Sequence, residues 1–190
     1  MNRREAISRV SLLLGGTIVG ANIFLGGGCN TSTKRSESLF NEADILFLNE
    51  VGEVILPETQ TPGAKAADVG SFMAIMVTDC YEVKDQKLFT DGITKLDNAC
   101  KKMNGKNFLE CNAAERSKIC IALDQEQKKY IAEKKPEAPS HYFRMIKELT
   151  LLGYFTSEAG CTKGLRHEAI PGKYVGDIPY KKGDRAWSIA

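Results

Sequence analysis

The sequence predicts an all-α fold: a small irregular bundle of about five helices, then a long extended, aromatic-bearing C-terminal arm. Three observations predict it. Apolar residues recur at helical spacing in five runs, each bounded by proline, glycine or a capping residue. No stretch shows the sustained alternation of a half-buried strand, and no repeat recurs at a fixed period. Beyond Tyr154 the helical pattern gives way to a glycine- and proline-punctuated segment that still carries aromatic side chains.

Residues 1–28 precede the bundle and read as an export leader. Arg3 and Arg4 are followed by a weakly apolar run from Val10 to Gly28 containing six glycines, Thr17 and Asn22. A spanning helix needs about 20 predominantly apolar residues. Each glycine weakens such a helix by roughly 1 kcal/mol. The run is therefore long enough but poor in quality, which suits a twin-arginine signal. An uncleaved N-terminal membrane anchor is the alternative.

Cys29 closes the leader. The preceding Leu25-Gly26-Gly27-Gly28 resembles the box before an acylated lipoprotein cysteine, although Gly26 stands where a large apolar residue is usual. The polar stretch 29–40 then reads as a tether, placing the helical domain at 41–190 with 154–190 as its arm. A plain unpaired cysteine is the competing reading.

Asn41 starts the first helix through an Asn-x-x-Asp cap, with Leu46, Phe47, Val51, Val54 and Ile55 at helical spacing and Pro57 as the stop. A turn at Pro62-Gly63 leads into a second helix over residues 64–81, apolar on more than one face and so expected at the centre. The third covers 85–103, with Leu88, Phe89, Ile93 and Leu96 inward, and Asn104-Gly105 ends it. Asn112 and Glu115 form a capping-box signature for the fourth, which carries Ile119, Ile121, Leu123 and Tyr130. The fifth opens at Ser140 and ends at Gly153.

The arm, 154–190, contains Tyr154, Phe155, Tyr174, Tyr180 and Trp187 among its glycines and prolines. A disordered tail is poor in aromatics, and a long coil in a compact domain usually has a role. Either it lies along another protein, or it wraps its own helices. Tyr154, Phe155, Thr156, Pro171, Gly172, Tyr174 and Trp187 are the candidate partner contacts.

Composition narrows the function. The leader holds Arg3, Arg4, Arg9 and Glu5, leaving 23 basic and 23 acidic side chains in the remaining 162 residues. That balance argues against a nucleic-acid binder, whose affinity rests on neutralising phosphates. The cysteines Cys80, Cys100, Cys111, Cys120 and Cys161 contain no C-x-x-C pair and do not resemble a zinc, iron–sulfur or c-type haem site. Cys100 and Cys111 bracket the Asn104-Gly105 turn and are the best-placed disulfide; buried free thiols are the alternative.

Catalytic signatures are equally thin. His141 sits at a helix start and His167 in the arm; no serine or cysteine stands in a nucleophile motif, and no phosphate loop follows a strand. The carboxylates Glu50, Glu53 and Asp79 fall at spacings that helices supply by chance. The sequence thus predicts no catalytic, cofactor or metal residues of its own.

Three segments carry a family resemblance. The first runs from Ile55-Leu56-Pro57-Glu58-Thr59 through Thr61-Pro62-Gly63-Ala64 to Ala67 and Val69. The second is Phe108, then Ala114-Glu115-Arg116 and Ile119. The third is Leu149-Thr150-Leu151-Leu152-Gly153-Tyr154-Phe155-Thr156-Ser157-Glu158 with Gly160, then Ile170-Pro171-Gly172-Lys173-Tyr174. In order and spacing these resemble the gluconate 2-dehydrogenase subunit 3 family over residues 43–176. Cys111 departs from the pattern, replacing a larger apolar residue, which supports a core thiol and weakens the disulfide reading.

The resemblance implies a non-catalytic small subunit. Its partner would be a large FAD-dependent flavoprotein of the glucose–methanol–choline class, with electrons passing to a haem c cytochrome subunit. The small subunit would carry the twin-arginine signal for both, giving a periplasmic, membrane-associated complex that oxidises gluconate or a glucoside ring hydroxyl. A stand-alone periplasmic lipoprotein binding module and an enzyme with an unrecognised site are the rival readings.

Overall fold

Asn41 sets the start of the first helix by a reciprocal cap. Its side chain accepts from the Asp44 amide at 3.0 Å, while Asp44 accepts from the Asn41 amide at 3.0 Å. In this computed structural model, which describes residues 39–170, 172–173 and 175–188, helix α1 then spans Glu42–Ile55. It buries Phe47, Leu48 and Val51, while Leu46, expected in the same stripe, faces solvent. Phe40, at the end of the predicted tether, is already buried and meets Phe89 edge-on at 5.8 Å.

The second predicted helix is interrupted. Lys65–Ala67 forms a 3-10 turn, Asp68 adopts the left-handed conformation at φ 48°, and only then does α2 run, Val69–Cys80. Asn49 explains how an aspartate tolerates that position. Its amide donates to the Asp68 carboxylate at 2.8 Å, and its carbonyl oxygen accepts from the Gly70 amide at 2.8 Å. Burial on α2 falls on Val69, Met73, Ala74 and Val77, whereas Ile75 is 61% exposed.

Helix α3 covers Val83–Asn104 and ends on Gly105 at φ 70°, a left-handed stop that glycine adopts without steric cost. A 3-10 turn, Phe108–Glu110, leads to α4, Ala113–Glu133, whose Asn112–Glu115 capping box forms as the spacing predicts. Phe89, Leu96, Ile119 and Leu123 point inward, and Ile121 points out.

Helix α5 spans Tyr142–Thr156 and is capped by His141, whose Nδ1 accepts from the Phe143 amide at 3.3 Å. It does not stop at Gly153. A Cβ there would lie 2.6 Å from the Phe72 ring, so this glycine lets α2 pack closely against α5 and is no terminator. The chain then widens into a π turn, Ala159–Gly164.

The fold is all-α, as the sequence predicts. Among the described residues the only β-type pairing is an isolated bridge between Arg166 and Trp187. One hydrophobic core joins the inner faces of all five helices. No described helix is long and apolar enough to cross a membrane. Arg3, Arg4, Cys29 and, in the arm, Pro171 and Tyr174 lie outside the described residues.

Candidate functional site

The end of α5, the 57–63 loop and the π turn converge on one surface. Glu53, on the last turns of α1, starts the assembly. Its carboxylate accepts from the backbone amides of Glu58 at 2.7 Å and Lys65 at 2.9 Å, holding both ends of the loop. The Ala64 amide adds a bond to the Leu56 carbonyl at 2.9 Å. One turn earlier, Glu50 binds Lys65 and meets Arg116 at 2.5 Å. Lys65 above all, with Arg116 adding to it against the opposing effect of burial, holds the Glu50 carboxyl below its usual range. Arg116 also donates to the Phe108 and Leu109 carbonyls, tying α4 to the turn before it.

Tyr154, expected among the partner contacts, is placed elsewhere. It is 4% exposed, and its hydroxyl donates to the Pro62 carbonyl at 2.7 Å. Its own carbonyl accepts from the Ser157 amide at 3.1 Å and hydroxyl at 2.7 Å. A Cβ on Gly160 would collide with that same carbonyl, so the π turn folds over Tyr154 only with glycine there. The side chain is a largely buried core strut joining loop and turn.

Phe155 is the outward member of the pair, 41% exposed, its ring edge-on to Tyr154 at 5.1 Å. Leu151 and Leu152, one turn earlier, share its side of α5 and are also exposed. Phe155 borders a groove of about 330 Å³ floored by Leu56, Pro57 and Pro62. Thr156 is exposed but bonds back to the Leu152 carbonyl at 2.7 Å.

The arm returns to this region. The Arg166 amide donates to the Ala186 carbonyl and the Ser188 amide to the Arg166 carbonyl, both at 2.8 Å. The Arg166 guanidinium lies over the Trp187 ring at 4.8 Å and within 3.6 Å of Asp184, while Arg185 binds the Lys163 carbonyl. Trp187 is thus engaged on one face by its own chain, yet remains 45% exposed. Gly172 is exposed, at φ 65°.

A second cavity, about 280 Å³, opens between α1, α4 and α5 over Ile55, Cys120 and Phe143. At its mouth Asp124 binds Lys128 and Lys147, each at 2.6 Å, and these two push its carboxyl down to about 2. The carboxylate therefore remains ionised, held between two ammonium groups. His141 is taken up by its cap and a stack on Tyr142 at 4.6 Å, and His167 contacts Ser188 at 3.2 Å. Among the described residues no group of three or more His, Cys, Asp or Glu side chains could hold a metal ion.

These features give physical reasons for the third motif: Gly153 admits Phe72, Tyr154 anchors Pro62, Ser157 caps α5 and Gly160 clears a carbonyl. The family model for gluconate 2-dehydrogenase subunit 3 matches residues 42–172, from the first turn of α1 into the arm.

The chain belongs to the gluconate 2-dehydrogenase subunit 3 family.

Membership makes it a subunit of a dehydrogenase complex. Neither a curated protein nor a solved structure matches it. Sequence reading missed the part played by Glu53, whose spacing from Glu50 looked accidental. A carboxylate one turn before a Pro-x₄-Pro-Gly loop was the available signal, because such a loop leaves backbone amides in need of an acceptor.

Proposed function

We propose that this chain is the non-catalytic small subunit of a membrane-associated, periplasmic, FAD-dependent sugar dehydrogenase, needed to export, mature and dock the flavoprotein subunit. The observation that carries the reading is the family match across all five helices, residues 42–172, on a chain whose leader bears Arg3 and Arg4. FAD would reside in the large subunit, of the glucose–methanol–choline class, and haem c in an associated cytochrome. The large subunit would oxidise a sugar CH–OH, of gluconate or a glucoside, to the carbonyl. This chain would bring that enzyme through the twin-arginine translocon and hold it at the membrane through the leader or an acylated Cys29.

Docking is assigned to the exposed side of α5 at Leu151, Leu152, Phe155 and Thr156. Gly172 and Trp187 of the arm are kept as further candidate contacts, as are Pro171 and Tyr174, which lie outside the described residues. An aromatic ring beside two leucines and a groove has the composition of an interface anchor. Replacing Arg3 and Arg4 with lysine tests the escort role. Both this chain and the flavin dehydrogenase activity are expected to stay in the cytoplasm. Normal periplasmic activity in that variant would overturn the reading, as would recovery of the native protein as a colourless monomer.

A further inference from the structure

Cys100 lies in the last turn of α3, and Cys111 directly follows the 3-10 turn that brings the chain back toward α4. The Gly105 reversal between them folds the two positions face to face. Their sulfur atoms stand 3.1 Å apart, and both side chains are buried, Cys100 completely and Cys111 to within 5%. The Asn104 side-chain amide reaches both sulfurs at 3.6 Å, fixing their common orientation. A disulfide bond is about 2.05 Å long, so closure needs roughly an ångström of approach, within reach of side-chain rotation and a small shift of a helix end.

We infer that Cys100 and Cys111 are a redox modification site that closes an intrachain disulfide, stapling the C-terminus of α3 to the start of α4. The oxidant is a low-molecular-weight disulfide such as glutathione disulfide. One thiol, as its thiolate, attacks a sulfur of the oxidant, forming a mixed disulfide and releasing one oxidant thiolate. The second attacks the chain sulfur of that mixed disulfide, forming the Cys100–Cys111 bond and releasing the other thiolate. The chain loses two protons and two electrons, and the oxidant takes up both.

Burial sets the rate. It raises the Cys100 thiol to about 11, with the neighbouring Cys111 adding to the effect, so little thiolate exists in the closed fold. Exchange therefore proceeds when the last turn of α3 opens, and reduction of the product needs the same opening. Among the described residues the remaining thiols lack such a partner: Cys80 is exposed, Cys161 is half-buried and bonds the Phe155 carbonyl, and burial pushes Cys120 up to about 12.

The test uses the full-length chain equilibrated with mixtures of glutathione and glutathione disulfide, quenched in acid, unfolded, alkylated and mapped by mass spectrometry. A peptide pair joining Cys100 to Cys111, lighter than its halves by a pair of hydrogens, is expected, with Cys80, Cys120 and Cys161 alkylated. Oxidation should also raise Tm by several degrees, an increase that dithiothreitol reverses and Cys111→Ser lacks. Alkylation of both Cys100 and Cys111 at oxidising equilibrium, or linkage of either to Cys120, would overturn the assignment. The peptide map decides the matter even if Cys111→Ser fails to fold. It involves neither export nor a flavoprotein, so its outcome is separate from that of the subunit reading.

Discussion

The Tyr154 hydroxyl donates to the Pro62 carbonyl at 2.7 Å, joining the end of α5 to a loop 92 positions earlier. That bond makes the 57–63 loop part of the α5 terminus, and the groove beside Phe155 exists because the two are held together. Tyr154→Phe keeps the ring and removes the donor. We expect a loss of about 1 kcal/mol in stability. The loop should also be cleaved faster in limited proteolysis, and an unchanged cleavage rate would show that the bond does not secure it.

Glu53 carries the same loop from the other side through two charge-assisted bonds to backbone amides. Glu53→Gln retains shape but leaves a single oxygen to accept, so one of the two backbone amides faces an NH2 donor in place of its acceptor. Urea unfolding should show a loss of about 1.5–3 kcal/mol, the range for hydrogen bonds to charged groups.

Gly153→Ala separates two accounts of one residue. Were Gly153 an open position inside the helix with nothing packed against it, alanine would stabilise the helix by about 1 kcal/mol. The Phe72 ring, 2.6 Å from the new Cβ, instead makes the change an overpacking, which costs about 1–3 kcal/mol. We expect net destabilisation in thermal unfolding; a higher Tm would contradict the observed approach of α2 to α5.

Asp124 should give the fold a pH-dependent component. Lys128 and Lys147 hold its carboxyl near 2, against 3.8 unperturbed. A depressed folded value stabilises above the unfolded value, and the contribution is lost as pH falls from 3.8 through about 2. The site lies at the rim of its cavity, so solvent screening keeps the effect modest. Wild type should exceed Asp124→Asn in stability at neutral pH, with the gap closing between about pH 4 and pH 2 in denaturant titrations.

Phe155→Asp tests the docking surface. The ring is exposed, so the isolated chain should keep its helical circular dichroism and its Tm. Binding to the flavin-bearing partner is expected to weaken roughly tenfold or more, as for a buried aromatic anchor. Undiminished co-purification would move the interface elsewhere.

The sequence alone determined that the chain is helical, where several helices are capped, and which family it belongs to. Asn41 with Asp44, Asn112 with Glu115, and the Gly105 stop act within a few residues, so their bonds are legible from spacing. The family motifs were likewise legible as an ordered series. Tertiary structure decided what the spacing could not. Leu46, Ile75 and Ile121 fit a helical period yet face outward, because the core takes only the side that meets another helix. Gly153 looked like a terminator until Phe72 occupied its missing side chain, and Tyr154 looked like an exposed anchor until Pro62 claimed its hydroxyl. Cap bonds join near neighbours along the chain. Burial, the Glu50–Arg116 pair and the Cys100–Cys111 contact depend on which distant faces come together, and only packing settles that.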